Sequence, residues 1–209
     1  IGILIGTLTS RKPYSLADNV LTIGSLVGYS MPVFWLGQYM IIVFSLRLNL
    51  FPSQGMFSAI GPTGSAQLVM DVLQHLFLPG LTLGIAQLAL ISRLTRSSMI
   101  DALQQDFIVT ARSKGLDERT VIYRHALRNA LLPVVTVVGI NFGFMLAGAV
   151  VTETVFAWPG IGRLVYNSIL KRDYPVIMGV LIVVSITVVI ADLITDIAYA
   201  ILDPRIRYK

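Results

Sequence analysis

The feature that most constrains this chain is a set of four long stretches without a charged side chain. Each is close to, or longer than, the ~20 apolar residues that a helix needs to cross the hydrocarbon core of a bilayer. Their bounds are 19–46, 72–92, 129–152 and 174–191. Charged residues make up 13% of the 209-residue chain, whereas soluble globular domains carry about 25%. The pattern excludes an ordinary soluble enzyme and indicates a helical membrane protein.

These stretches predict an all-α fold, a polytopic transmembrane helix bundle that forms one domain over residues 1–209. The sequence opens inside an apolar run, which we interpret as a partial span of an N-terminally truncated fragment. The predicted spans are about 1–8 (partial), 20–46, 72–94, 131–152 and 175–201. The uncharged stretch 48–70 is not counted, because its prolines and glycines break a helix and unsatisfied backbone is costly in lipid. We expect it to be an external loop.

The distribution of Lys and Arg between the loops predicts the orientation of the chain. Twelve of the sixteen basic residues fall in one set of alternate loops and four in the other. Because cytoplasmic loops carry the excess of basic residues, the richer set is predicted to be cytoplasmic. It includes a loop over about residues 96–130 and the C-terminal tail over 203–209. The net charge of +5 is thus explained by topology, and we expect no nucleic-acid partner.

The cytoplasmic loop over 96–130 is long and has helical periodicity. Its first half has apolar residues at helical spacing, namely Ile100, Leu103, Phe107 and Ala111. Gly115 follows a basic last turn and is a helix C-cap signal, and Asp117 is a candidate N-cap before Glu118. The pattern predicts a helix, a glycine turn and a second helix ending near Asn129. Such a pair either stabilises the bundle at the membrane surface or docks a cytoplasmic partner.

Four sequence runs, which cover most of the chain in order, resemble a known family. They are TARSKGLDERTVIYRHALRNALLPVVTVVG (110–139), SMPVFWLG (30–37), VFAWPGIGRL (155–164) and LDPRIRYK (202–209). Together they resemble binding-protein-dependent ABC importer permeases, and more narrowly the dipeptide, oligopeptide and nickel permease group. The resemblance implies a permease subunit of an ATP-driven importer in a prokaryotic inner membrane, for peptides or a related small solute. Such a subunit forms half of the translocation pathway.

The resemblance also implies a set of partners. In such permeases the cytoplasmic helix–turn–helix lies in a surface cleft of an ATPase subunit. A second permease subunit, an extracytoplasmic solute-binding protein and membrane lipid are the other expected partners. Gly115 corresponds to the family's signature glycine. Carried over by position, the ATPase-contacting residues are Ala111, Arg112, Lys114, Gly115, Leu116, Asp117, Glu118 and Arg119.

Two positions depart from the family's general signature. Val109 stands where the general pattern has glutamate, and Arg128 stands where it has proline. The peptide and nickel group resembles this chain at both places, so the departures favour that group. If the family's glutamate forms an ion pair with the ATPase, Val109 cannot do so.

No motif predicts ATP hydrolysis or metal binding in this chain. A phosphate-binding loop ends in Lys-Ser or Lys-Thr, and none of the four lysines is followed by Ser or Thr. The chain has no cysteine, and His75 and His125 are predicted on opposite sides of the membrane, so they cannot share a metal. We therefore expect no catalytic residue, metal or cofactor here, with ATP and Mg²⁺ bound by the partner ATPase.

Two acidic residues in the last span, Asp192 and Asp196, support a rival hypothesis. Acidic side chains within a membrane helix are costly and commonly functional. A proton- or cation-coupled secondary transporter is therefore the alternative function. Both residues lie in the predicted cytoplasmic half of the helix, where pairing with Arg93 or Arg96, or contact with interfacial water, explains them at least as well.

Four residues on the span 131–152 and the segment after it are candidates for lining a pathway: Asn141, Met145, Glu153 and Trp158. Asn141 is equally explained by helix packing and Met145 as an apolar filler. Glu153 either gates the outer mouth, contacts a binding protein or ends a helix in pairing with Arg163. Trp158 has the position of an interfacial aromatic before a Pro-Gly turn.

Overall fold

A computed structural model describes residues 1–11, 13, 15–58, 64–147 and 149–202. Every regular element among these residues is a helix, which confirms the all-α fold predicted from the uncharged stretches. Lys12 and the basic tail over 203–209, which entered the orientation argument, lie outside the described residues. The same is true of Gly61 and Pro62 in the expected external loop.

The helices follow one another along the chain with mostly short connections. They are α1 (Gly2–Arg11), α2 (Leu16–Ser30), α3 (Val33–Met40), α4 (Ser65–Leu103), α5 (Asp106–Ser113), α6 (Glu118–Thr120), α7 (Leu127–Ala147), α8 (Val150–Val155), α9 (Ile161–Lys171) and α10 (Tyr174–Leu202). Two segments are π-helical: Ile41–Arg47 continues α3, and Val121–Ala126 joins α6 to α7. Residues Glu118–Met145 therefore form one helix.

Three described helices are long and apolar enough to cross a membrane: Ser65–Leu103, Glu118–Met145 and Tyr174–Ile201. A fourth candidate is the interrupted pair Asp18–Ser30 and Val33–Arg47. The spans predicted over 72–94 and 175–201 fall on such helices. The apolar stretches thus form the helices expected of a multi-pass membrane protein.

The stretch 20–46, predicted as one continuous span, is interrupted in the structure. α2 ends at Ser30 and α3 begins at Val33. Pro32 explains the interruption, because a proline disfavours the α conformation in the residue before it and lacks an N–H donor. Pro32 itself has extended backbone, with φ −57° and ψ 132°. A prediction based only on the length of the apolar stretch does not detect this interruption.

The loop predicted over 96–130 has helical flanks in the structure, because both neighbouring helices extend into it. α4 continues to Leu103, and the helix that begins at Glu118 does not end near Asn129 but continues as α7. α7 ends at Ala147, before the predicted end of the span at residue 152, and the short α8 follows. The non-helical part of the loop is therefore confined to the two connections on either side of α5.

The described chain divides into two compact units. The first comprises Ile1–Tyr29, Gln87–Gly143 and the described residues from Val189 onward, and the second comprises Ser30–Ala86 and Phe144–Val188. The helices α4, α7 and α10 contribute residues to both.

In the first unit, small residues and a buried ion pair join the helices. Gly6 of α1 lies so close to α4 that a Cβ there would come within 2.6 Å of a backbone oxygen. Gly139 of α7 packs directly against the Thr195 side chain of α10. Asp18 of α2, which is 2% exposed, accepts two hydrogen bonds of 2.7 Å from the Arg96 guanidinium of α4. These contacts let the helices approach closely, and the half-buried Arg96 neutralises the buried Asp18 carboxylate.

In the second unit, a small apolar cluster forms where α3, α4 and the end of α8 meet. Its buried members are Leu36, Met40, Leu78 and Phe156. The non-helical segment 48–58, expected as part of a loop, is attached to this cluster, since Gly55 N–H donates to the Phe156 carbonyl at 2.9 Å. The Ser58 amide and hydroxyl also donate to the Asp71 carboxylate of α4, at 2.7 and 2.6 Å. This segment is therefore packed rather than loose.

Candidate functional site

A buried apolar pad supports the turn between α5 and α6. It collects side chains from the end of α4, from α5 and from the helix that starts at Glu118. Its buried members are Met99, Ala102, Ile108, Ala111, Val121, Ile122, Ala126 and Ala130. Because the three helices share one contiguous core, the turn is held in a fixed position relative to the C-terminal end of α4.

The pad differs from the apolar set that helical spacing grouped together. Phe107, which that spacing grouped with Ala111, is 39% exposed, and Ile108 is buried instead. The reason is a break between α4 and α5 at Gln104 and Gln105. Helical spacing relates these residues only if they lie in one continuous helix. The break changes the direction in which the side chains of α5 point relative to those of α4.

Gly115 makes the turn after α5, as predicted. Its φ is +75°, in the left-handed region that glycine adopts without a Cβ penalty. Its N–H donates to the Arg112 carbonyl at 2.9 Å, so it closes the last turn of α5 after the C-cap Lys114. A Cβ at Gly115 would meet no atom within 4 Å. The glycine is therefore required by the backbone conformation and not by lack of space.

Asp117 caps the next helix, also as predicted. Its carboxylate accepts a hydrogen bond of 3.1 Å from the Thr120 amide, which satisfies one of the unpaired donors at the helix start. Hydrogen bonds from Thr120, first from its side chain and then from its amide, hold the pKa of the Asp117 carboxyl below its usual range. The cap is thus charged at neutral pH.

A salt bridge that the sequence analysis missed closes the turn. The Arg112 guanidinium donates to the Glu118 carboxylate through Nη2 at 2.7 Å and through Nε at 3.2 Å. The hydrogen bonds to Glu118 raise the pKa of Arg112 above its ordinary value. The two residues belong to different helices, so helical i,i+4 spacing gives no sign of the pair. The sequence does contain one signal: Arg112 and Glu118 have opposite charges and each lies three positions from Gly115.

The predicted contact set separates into residues that hold the turn and residues that face outward. Ala111 is buried in the pad. Lys114, Leu116 and Arg119 are exposed, and Leu116 leaves 39% of its surface uncovered between the two cations. Among the described residues, neither Lys114 nor Arg119 forms an ion pair.

The candidate pathway residues fall in different units. Asn141 is half-buried in the first unit, where its amide donates to the Val137 carbonyl of its own helix at 2.8 Å. Met145, Glu153 and Trp158 belong to the second unit and are each half-buried. Their role in a pathway stays a prediction.

Glu153 caps α9 through the backbone. Its carboxylate accepts hydrogen bonds from the amides of Arg163 at 2.6 Å, Gly162 at 3.4 Å and Ala149 at 3.2 Å. The predicted partner Arg163 is therefore contacted by its backbone amide. A Cβ on Gly160 would overlap the Glu153 carboxylate, so the glycine next to Pro159 leaves room for this cap. The arrangement fixes the junction between α8 and α9.

The basic partners suggested for Asp192 and Asp196 are engaged elsewhere. Arg96 is paired with Asp18, and the Arg93 guanidinium lies over the Tyr29 ring at 4.9 Å. Asp192 and Asp196 are exposed on α10 and form no ion pair with a described residue. The suggested pairing is therefore wrong for both Arg93 and Arg96. The sequence analysis did not consider Asp18, although it directly precedes the uncharged stretch that starts at Asn19.

A family model covers nearly the whole chain. Residues 2–208 match the family described as "Binding-protein-dependent transport system inner membrane component".

Curated relatives match over the full length of the chain. The oligopeptide transport system permease protein AppB of Bacillus subtilis is 43% identical over 208 residues, which are 100% of this chain and 65% of that protein. The dipeptide transport system permease protein DppB of Escherichia coli K12 is 41% identical over 226 residues, 100% of this chain and 67% of that protein. The di/tripeptide transport system permease protein DppB of Pseudomonas aeruginosa is 41% identical, with 100% and 66% covered. The chain spans about two thirds of the length of these relatives.

Proposed function

We propose, from the premise that this chain belongs to the family of binding-protein-dependent transport system inner membrane components, that the protein is a permease subunit of an ATP-driven importer. The observation that carries the proposal is the turn at Gly115. It is charged, exposed and held on a buried pad, and it opens a helix that continues without interruption into a candidate membrane span. Such a turn transfers movement of a cytoplasmic partner to the membrane.

The proposed partner at this turn is a cytoplasmic ATPase subunit. The sequence contains no phosphate-binding loop, so in this proposal ATP and Mg²⁺ are bound by the partner and the chain carries out no hydrolysis. A second permease subunit completes the pathway, because one subunit supplies only half of it. An extracytoplasmic solute-binding protein delivers the solute to the opposite side, and the C-terminal tail lies in the cytoplasm with the turn.

The proposed solute is a short peptide. Three relatives that cover the whole chain are named for oligopeptide, dipeptide and di/tripeptide transport. The separate binding protein supplies much of the affinity, so the proposal is limited to the class of solute. Asn141, Met145, Glu153 and Trp158 remain the proposed pathway-lining residues, with Glu153 fixed by its role as a backbone cap.

The test is reconstitution of the full-length subunit with the proteins that accompany it. The tagged subunit is purified from its own membranes in mild detergent, and the associated proteins are identified by mass spectrometry. We expect an ATPase with a phosphate-binding loop, and ATP-dependent uptake of labelled peptides by proteoliposomes. Uptake that requires a proton gradient, with no ATPase recovered, would contradict the proposal and favour the secondary transporter that uses Asp192 and Asp196.

A further inference from the structure

A cavity of about 390 Å³ opens beside the first two turns of α9, within the second unit. Most of its lining is apolar or glycine, and Arg163 is the only ionisable residue among the described residues that line it. The lining residues are Pro159, Gly160, Ile161, Arg163, Leu164 and Asn167. This volume, with apolar walls and a small number of polar groups, is typical of a pocket for a small organic ligand.

The Arg163 side chain has no counter-charge within the described part of the chain. The residue is half-buried, and its guanidinium forms no ion pair or hydrogen bond with a described residue. Because a guanidinium does not lose its proton at neutral pH, partial burial without a partner is unfavourable. Arg163 also lies in the first turn of α9, where the helix dipole disfavours a cation. The fold therefore leaves a cation without compensation beside the cavity.

Glu153 does not neutralise this cation, although it contacts the same residue. Its carboxylate accepts hydrogen bonds from the backbone amides of Arg163 at 2.6 Å and Gly162 at 3.4 Å, and no salt bridge joins it to the Arg163 guanidinium. The cap thus fixes the backbone of Arg163 and leaves its side chain available to a ligand.

The orientation of the chain does not account for Arg163 either. It belongs to the set of loops that holds four of the sixteen basic residues and that is predicted to be external. An excess of basic residues is expected only in cytoplasmic loops. A half-buried arginine on the other side therefore needs a separate explanation.

The polar groups of the cavity match a carboxylate attached to a peptide bond. A guanidinium binds a carboxylate through two parallel hydrogen bonds. Asn167 lies one turn after Arg163, on the same face of α9, and its exposed side-chain amide forms no hydrogen bond with a described residue. That amide can donate to a carboxylate and also accept from a peptide N–H. A phosphate group offers only acceptors and would leave the Asn167 oxygen unused.

We infer that Arg163 and Asn167 form a subsite for the C-terminal carboxylate of the transported peptide, with the apolar wall at Leu164 beside its last side chain. The inference rests on the proposed function and names the group of the solute that this chain recognises. Trp158 and Glu153, already proposed to line the pathway, lie just before the subsite in the sequence. Glu153 acts as a positioning residue, because it holds the backbone of Arg163.

The first test compares uptake of trialanine with uptake of its C-terminal amide. Proteoliposomes contain the full-length subunit with its ATPase, second permease subunit and binding protein, and each peptide is added until the binding protein is saturated. Differences in affinity for the binding protein then do not contribute, so the ratio of the two rates reports on the permease. We expect Arg163→Gln to lower the ratio of acid to amide about tenfold, as for a lost hydrogen bond between charged groups. Arg163→Lys keeps the charge but not the paired donors and should give an intermediate ratio.

Arg47→Gln is the matched control, since it makes the same substitution at an exposed arginine outside the cavity. It should keep the wild-type ratio. Asn167→Asp should lower the ratio as well, because its carboxylate competes with the peptide for Arg163. A wild-type ratio in Arg163→Gln, or an equal loss of uptake for both peptides, would overturn the inference and leave the proposed function intact. Absence of ATP-dependent uptake by the wild-type protein would instead overturn the proposed function.

Chemical modification tests the contact without a variant that must fold. Phenylglyoxal adds to accessible guanidinium groups, and mass spectrometry gives the rate at each arginine of the purified complex in detergent, without the binding protein. Trialanine at millimolar concentration should slow the modification of Arg163 but not of Arg47, and its amide should protect Arg163 much less. Equal protection by both peptides, or no protection by trialanine, would overturn the inference. Protection by inorganic phosphate alone would also overturn it and would assign the cavity to a phosphate group such as that of a lipid.

Discussion

At the residue scale, Gly115 determines whether the turn can form. Its φ of +75° lies in the left-handed region, which costs other L-residues about 1–2 kcal/mol. Asn tolerates this region better than residues without a short polar side chain, and β-branched residues are genuine outliers there. Because a Cβ at this position has open space around it, substitutions act on the backbone and not through a clash.

We expect a graded series at Gly115. ATP-dependent uptake should decrease in the order Gly, Asn, Ala, Val, following the cost of the left-handed conformation. The measurement is uptake by proteoliposomes that contain equal amounts of inserted protein. Gly179→Ala is the control, since Gly179 lies in α10 without a positive φ and also has open space around its Cβ position. Equal uptake by the Asn and Val variants would contradict the backbone argument.

Asp117 gives the turn a defined pH dependence. Its pKa is lower in the folded protein than in an unfolded chain, since Thr120 bonds the charged form. The cap therefore stabilises the turn at pH values above the unfolded pKa of about 3.9, and the stabilisation is lost as pH falls through the folded pKa. It is constant from neutral pH down to about pH 5.

The measurement is amide hydrogen exchange at Thr120, corrected for the intrinsic effect of pH. Protection should stay constant between about pH 7 and 5 and decrease below about pH 4. In Asp117→Asn the amide oxygen still accepts the hydrogen bond but does not titrate over this range. That variant should therefore show less protection at neutral pH and no acid-dependent loss. If the Thr120 amide of the Asn variant loses the same amount of protection at acid pH, a group other than Asp117 causes the loss.

At the element scale, Glu153 stabilises the first turn of α9. Removing the carboxylate by Glu153→Ala leaves the amides of Gly162 and Arg163 without their acceptor. Loss of a helix cap costs about 0.5–2 kcal/mol. Glu153→Gln keeps an acceptor oxygen and should therefore destabilise the start of α9 less than Glu153→Ala does.

Trypsin cleavage after Arg163 in the folded, inserted protein measures this effect. Cleavage should be fastest in Glu153→Ala, intermediate in Glu153→Gln and slow in the wild type, relative to cleavage after Lys171. Asn167→Ala, an exposed substitution on the same helix, is the control and should match the wild type. If Glu153→Ala is cleaved no faster than this control, the carboxylate does not hold the start of α9.

Elements with a local signal were predicted from the sequence, and those set by distant contacts were not. Gly115 and Asp117 were identified as caps because capping chemistry depends on a few neighbouring residues. The helical spacing that grouped Phe107 with Leu103 does not hold across the break at Gln104, because neither Pro nor Gly marks that break in the sequence. The interruption before Val33 had a local signal in Pro32, but the length of the apolar stretch outweighed it.

Contacts between elements were the part of the site that sequence reasoning could not supply. Arg112 and Glu118 meet only because the left-handed residue between them reverses the chain. Asp18 and Arg96 lie 78 positions apart, so no periodicity relates them. Glu153 was recognised as a helix end, but the backbone amides that it caps become neighbours only when α8 and α9 pack.

At the scale of the whole molecule, the pairing of charges distinguishes the two candidate functions. Asp192→Asn/Asp196→Asn should leave ATP-driven uptake unchanged, because neither carboxylate compensates a described cation. Asp18→Asn should instead lower the melting temperature in detergent, because it removes the buried negative charge that pairs with the half-buried Arg96 guanidinium. Uptake that is abolished in the Asp192/Asp196 variant while the protein remains folded would favour the secondary transporter.

The continuity of Glu118–Met145 has a mechanical consequence. At 1.5 Å per residue, its 28 residues form a rod about 42 Å long, with no non-helical joint between its start near Gly115 and the candidate membrane span. A tilt of about 10° displaces one end of such a rod by about 7 Å relative to the other. The π-helical segment Val121–Ala126 and Pro133 are the irregular points along it. In the proposed importer, the stiffness of this helix therefore limits how much of the ATPase's motion reaches the bilayer.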